Sequence, residues 1–129
     1  MTPTPLAAIT AYLDTLLPQS TYTDASQNGL QVDAGKAMVS CVGFAVDAGE
    51  SVISEAISRG VDLLVVHHGL LWSHAPSRLI GPFARKVRLL MTAGCSLYAS
   101  HLPLDGHQTL GNAAQIAATL NLELSLIHI

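Results

Sequence analysis

Charged side chains are scarce in this chain, at 12% of 129 residues, and the six basic ones are outnumbered by nine acidic ones. A formal charge of -3 excludes a protein that grips nucleic acid by neutralising phosphates. Aromatics are equally thin at 5%, so a core has to be built from Leu, Ile, Val and Ala. The two cysteines, Cys41 and Cys95, lie in apolar strand-like runs and read as buried free thiols of a reducing compartment. No apolar run reaches the roughly 18 residues of a membrane span, and the opening Met1-Thr2-Pro3-Thr4-Pro5 has neither part of a signal peptide. The expected setting is therefore the cytoplasm, with no membrane and no nucleic-acid partner. What the chain does have is hydrophobic residues, 50% of the total, and six histidines. That excludes disorder and allows one α/β domain with a core of its own.

The periodicities alternate between helix and strand. Thr4-Pro5 reads as a cap and first helical position, followed by Leu6, Ile9, Leu13, Leu16 and Leu17 at helical spacing up to Pro18. Residues 19–37 are turn-rich, and Asn28-Gly29 leads into a short strand-like tail. Met38 to Asp47 reads as one core strand, and Val52, Ile53, Ala56 and Ile57 mark the helix after it, with Gly60 as its cap. Asp47 and Glu50 have the spacing of an N-cap and its reciprocal partner; the alternative is that Asp47 lines a site at the sheet edge. A helix follows from about Pro82 to Ala93, with Phe83, Val87, Leu90 and Met91 inward and Arg85, Lys86 and Arg88 on a solvated face. A strand over Cys95–Ser100 comes next. The last helix, from about Thr109 to Leu120, turns Leu110, Ala114, Ala117 and Leu120 inward. One helix and then strand–helix units predict a parallel or mostly parallel sheet with right-handed crossovers and helices on both faces.

The chemistry gathers at strand ends. Val61-Asp62-Leu63-Leu64-Val65-Val66 is a buried-strand run, and it stops in His67-His68-Gly69. In open parallel sheets, ligands bind outside the carboxyl ends of the strands. The next strand ends in His101 and, four residues on, Asp105. Neighbouring strands lie about 4.8 Å apart, so their end loops can bring imidazoles and a carboxylate together. Adjacent strand residues point to opposite faces, so the backbone is expected to leave strand geometry at His67-His68, with Gly69 allowing the turn. Imidazole plus carboxylate suits Zn, Fe, Mn or Co. No thiolate is placed to ligate, which excludes a Cys-rich structural zinc site. His74, His107 and His128 are read as structural.

At these motifs the chain resembles the N-terminal part of the NIF-three-like dinuclear metal-centre family, whose members are often named type 2 homologues of GTP cyclohydrolase I. The matching pieces are Asn28-Gly29-Leu30-Gln31-Val32, Ala45-Val46-Asp47, Asp62 to Trp72, and Tyr98-Ala99-Ser100-His101-Leu102-Pro103-Leu104-Asp105. The resemblance implies an α/β fold, a toroidal homohexamer, and two divalent metal ions per complete site. It implies that His67, His68 and Asp105 are metal ligands, with Asp105 bridging, and that His101 stands beside them. Family members complete the site with a histidine and a glutamate from a C-terminal segment of a chain about twice this long. The sequence is accordingly expected to be the N-terminal half of a larger fold, one α/β domain over residues 1–129, with about 124–129 non-native. Two functions follow as expectations. One is a metal-dependent hydrolase using metal-activated water, with His101 and Asp47 assisting proton transfer on a small-molecule substrate. The other is a non-catalytic, metal-binding oligomeric scaffold.

Overall fold

The structure is a computed structural model that describes residues 2–73 and 78–125. His74 and Pro76 of the loop after Trp72, and His128 with the end of the apolar C-terminal run, lie outside the described residues. Leu122 to Ser125 have no regular structure.

The elements in order are β1 (Thr4–Pro5), α1 (Leu6–Leu16), β2 (Gly29–Val32), β3 (Met38–Val39), β4 (Val42–Asp47), α2 (Glu50–Ser58), β5 (Leu63–His68), α3 (Gly81–Ala93), β6 (Ser96–Ala99), α4 (Leu102–Asp105) and α5 (Asn112–Thr119). Four strands form one sheet in the order β2-β6-β5-β4, and β1 pairs with β3 in a separate two-stranded ladder. β4, β5 and β6 run parallel, while β2 joins β6 antiparallel. The expected α/β architecture is therefore present, with a sheet that is mixed and mostly parallel.

Alternation along β5 divides the core in two. Leu64 and Val66 face α2 and α3, meeting Ile53, Ala56, Leu90, Leu97 and Ala99. Leu63 and Val65 face α1, meeting Leu6, Tyr98 and the half-buried Ile9 and Leu13. Tyr98 is fully buried and donates its phenol hydrogen to Asp14 at 2.8 Å. Burial, then the neighbouring Asp14 carboxylate, push its ionisation upward. Cys95 is buried too, and burial raises its thiol pKa, as expected of an inert core thiol. No helix among the described residues is long and apolar enough to cross a membrane.

Several local expectations are corrected by tertiary contacts. Thr4 does not cap α1: Thr4-Pro5 pairs with Met38-Val39, and the helix starts one residue later, at Leu6. The single strand expected over Met38–Asp47 is broken at Ser40-Cys41. There the backbone N–H groups of both residues donate to the Asp62 carboxylate, at 2.7 and 3.0 Å, instead of to a neighbouring strand. β4 is also an edge strand, and its Phe44 and Val46 are exposed because α1 lies toward the opposite edge. Leu110, Leu120 and Met91 are exposed as well, so the inward face of α5 is carried by Ala114 and Ala117 alone. α3 keeps its expected start and stop, with Pro82 in its first turn and Gly94 in a left-handed C-terminal cap at φ 67°.

Asp62 is the buried charge that shapes the strand break. Burial opposes its ionised form, but hydrogen bonds from Lys36, Ser40 N–H and Cys41 N–H outweigh that and hold its pKa below the usual carboxylate value. Lys36 is half-exposed, so the ion pair itself is worth little; the two backbone donors carry the larger share. Asp62→Ala is expected to lower unfolding free energy by about 2 kcal/mol, and Lys36→Ala by less than about 1 kcal/mol. Because the folded-state pKa is depressed, Asp62 stabilises fully above its unfolded value near 4. The wild-type advantage over Asp62→Asn in urea titrations should therefore narrow as pH falls below about 4. An advantage that widens there contradicts this account.

Candidate metal centre

The site is built where three parallel strands end in step. Asp47 on β4 is in register with His68 on β5, and Val66 on β5 is in register with Ala99 on β6. Asp47, His67, His68, Ser100 and His101 therefore leave the sheet along one edge. His101 then caps α4, a single helical turn that was not expected from the sequence. The turn brings Asp105, four residues on, back beside the strand ends.

β5 runs through both histidines, which corrects the expected backbone departure from strand geometry. The imidazoles leave opposite faces of the strand but lie past the end of the β5–β6 ladder, where the rings approach each other. The centroids of His67 and His68 are 4.5 Å apart, and His101 lies 5.1 Å from His67 and 5.7 Å from His68. One potential ligand atom of each histidine lies within 4.8 Å of those of the other two. Asp105 Oδ2 is 3.4 Å from His67 Nε2, and Asp105 Oδ1 accepts a hydrogen bond from Asn112 at 3.2 Å.

Each ring has an oxygen partner at Nδ1. His67 Nδ1 is 3.0 Å from the Ser100 carbonyl, which can only accept, so in the neutral ring Nδ1 carries the proton and Nε2 keeps its lone pair. His68 Nδ1 is 2.6 Å from the Asp47 carboxylate, and His101 Nδ1 is 2.8 Å from that of Asp24. Imidazoles that bind metals are arranged this way, with the far nitrogen held by a carboxylate or carbonyl. The capping role considered for Asp47 is not found: α2 is capped by Gly49 without a side-chain bond. His107, by contrast, is tied up locally, accepting from the backbone N–H of Thr109 and Leu110.

Two groups escaped the sequence reading. Asp24 is one, its side chain only 4% exposed. Burial disfavours its charge, yet hydrogen bonds from Asn28, His101, Ser26 N–H and Leu102 N–H hold its pKa far below the ordinary carboxylate value. Its local signal was the turn it forms with Ser26 N–H at 2.9 Å. Gln31 is the other. A bulge in β2 leaves it outside the ladder, and its Oε1 accepts from Leu70 N–H at 2.7 Å and Leu71 N–H at 3.1 Å. Its amide nitrogen donates to the carbonyls of Gln27 and Leu71. The carboxamide sits where a Cβ on residue 69 would be, which is why Gly69 follows the histidine pair. Trp72, the only tryptophan, lies across this loop with its ring 5.1 Å from His101 in an edge-on arrangement.

The sequence matches the Duf34/NIF3 (NGG1p interacting factor 3) family over residues 4–127, nearly the whole chain. The chain belongs to this family. Among its relatives are the GTP cyclohydrolase 1 type 2 homologs of Halobacterium salinarum, 45% identical over 114 residues, and Pyrococcus horikoshii, 45% identical over 115. These alignments take in 88% and 89% of this chain and 45% of each relative. A solved structure from Thermus thermophilus superposes with a TM-score of 0.87 at 43% identity, covering 93% of this chain and 49% of that one. Reduced HcgD from Methanocaldococcus jannaschii superposes with a TM-score of 0.84 at 29% identity, covering 95% and 49%. The chain thus spans about half the length of the Duf34/NIF3 proteins it matches, and over that half it has their fold.

The Gln31–Gly69 fit gives a test of how the loop is held. Gln31→Ala strands two backbone N–H groups and is expected to cost about 1–3 kcal/mol. Gly69→Ala pushes the same carboxamide out and should cost a similar amount. In urea unfolding the double variant should be little worse than either single one, because both remove one clamp. Full additivity is incompatible with a shared clamp.

Proposed function

We propose that His67, His68 and Asp105 hold divalent metal ions, and that a chain of the relatives' length acts as a metal-dependent hydrolase. The observation that carries the reading is the convergence of three imidazoles within 4.8 Å, with Asp105 Oδ2 3.4 Å from His67 Nε2. Two donors sharing one tetrahedral ion at about 2.0–2.2 Å from it stand about 3.4 Å apart, so this pair has the separation of two ligands on one ion. The donor set fits Zn, Fe, Mn or Co and offers nothing soft enough for a thiolate-selective metal. When bound, such an ion supplies Lewis-acid polarisation of an oxyanion and acidification of a water.

The chain's own residues supply positioning and proton handling. Ser100 and Asp47 hold the two adjacent imidazoles by their Nδ1 atoms, which fixes ring rotation at little entropic cost. His101, with its Nδ1 on Asp24, keeps Nε2 as a proton acceptor beside the pair, and Asp47 can stabilise charge that develops on His68. The names of the relatives support a small nucleotide-like substrate, and the family resemblance supports two ions per complete site and a homohexamer, both in a full-length chain. With Phe44 and Val46 bare on β4, the remaining half of such a chain has an apolar edge to adjoin.

Equilibrium dialysis of the 129-residue chain with zinc or cobalt, followed by metal analysis, tests the first claim. His67→Ala and Asp105→Ala should each weaken binding more than about tenfold, or about 1.4 kcal/mol. Cobalt should quench Trp72 fluorescence in the wild type only. Unchanged metal content in both variants would falsify the metal reading. If metal binds but a full-length version does not turn over GTP or model phosphoesters, the non-catalytic scaffold replaces the hydrolase.

A further inference from the structure

Asp24 belongs to no strand end, yet its carboxylate reaches one. Oδ1 accepts from Ser26 N–H at 2.9 Å and faces His101 Nδ1 at 2.8 Å. Oδ2 accepts from Leu102 N–H at 2.9 Å and from the Asn28 amide at 2.9 Å. Asn28 in turn accepts from His101 N–H at 2.7 Å. Every other partner of the carboxylate is a donor, so an ionised Asp24 leaves the neutral His101 ring one tautomer: the proton sits on Nδ1 and the lone pair on Nε2. The loop carrying Asp24 is itself pinned to the Trp72 loop, through Ser73 N–H to the Ala25 carbonyl and Gln27 N–H to the Leu71 carbonyl. Trp72 closes the other side of the His101 ring.

We infer that Asp24 is a positioning residue for His101: it fixes the tautomer and rotation of that imidazole so that an unprotonated Nε2 is presented beside His67 and His68. The inference rests on the reading of this edge as a metal centre only for its consequence, since the tautomer is a property of the metal-free chain. A carboxylate that merely capped the turn at Leu102 would leave the His101 tautomer free to vary. Asp24→Asn separates the two roles. The carboxamide must set one NH2 group against donors that now meet oxygen. At the Oδ1 position the NH2 faces His101, which adapts by moving its proton to Nε2 and accepting at Nδ1; at the Oδ2 position it faces Leu102 N–H, which cannot adapt, and the Asn28 amide, which can turn over only by setting its own NH2 against His101 N–H.

Long-range proton–nitrogen NMR spectra of the metal-free chain at pH of about 8.5, above the imidazole range, read this directly. The His101 signals are assigned by their loss in His101→Gln. The wild type should show His101 as the Nδ1–H tautomer, and a folded Asp24→Asn should shift it to Nε2–H. A wild-type His101 that is mainly Nε2–H overturns the inference, and so does a folded Asp24→Asn with the wild-type tautomer. Should Asp24→Asn not fold, the wild-type spectrum decides, Nδ1–H supporting the inference and Nε2–H overturning it. Absence of zinc binding by the wild type defeats the metal reading instead, and the tautomer result still stands or falls by itself.

Discussion

Parallel pairing in register is the constraint on which this molecule depends. Because β4, β5 and β6 run the same way and end within a residue or two of one another, their last side chains emerge on one line. The apolar runs behind them keep that alignment from slipping. Leu63, Leu64, Val65 and Val66 are buried alternately against the two helical layers, and a one-residue shift would exchange the layers. The position of the histidines is thus fixed by the burial of aliphatic residues that have no chemistry of their own.

The rings are then aimed by groups that arrive from elsewhere. His67 is held by a carbonyl of β6's end, His68 by a carboxylate of β4's end, and His101 by the buried Asp24 from the loop before β2. Gln31 and Gly69 interlock to hold the backbone just past the pair. Three separate segments therefore have to be in place before all three rings are oriented. Rings held by such hydrogen bonds have less rotational freedom left to lose than free side chains would.

Much of this was legible in the chain. The run from Val61 to His68 announced a buried strand and the donors at its end. The helices over 50–58 and 81–93 followed from spacing, and Gly94 from its cap. His-x3-Asp after the next strand pointed to Asp105, although the turn of helix that brings it back was not visible. Less legible was the break at Ser40-Cys41, where an apolar run looked continuous until Asp62 took its backbone donors. The exposure of Phe44 and Val46 was hidden too, because periodicity gives a strand's faces but not its place in the sheet.

The sequence by itself determined where the strands and most helices lie and which residue types stand at the strand ends, since these depend on residues within a few positions of each other. The tertiary structure decided that β2 runs antiparallel, that Asp47 serves His68 and not α2, and that Asp24 finds His101 across 77 residues of chain. Those outcomes turn on which buried polar groups meet once the sheet has closed. A hydrogen bond between distant residues leaves no periodic trace in either segment.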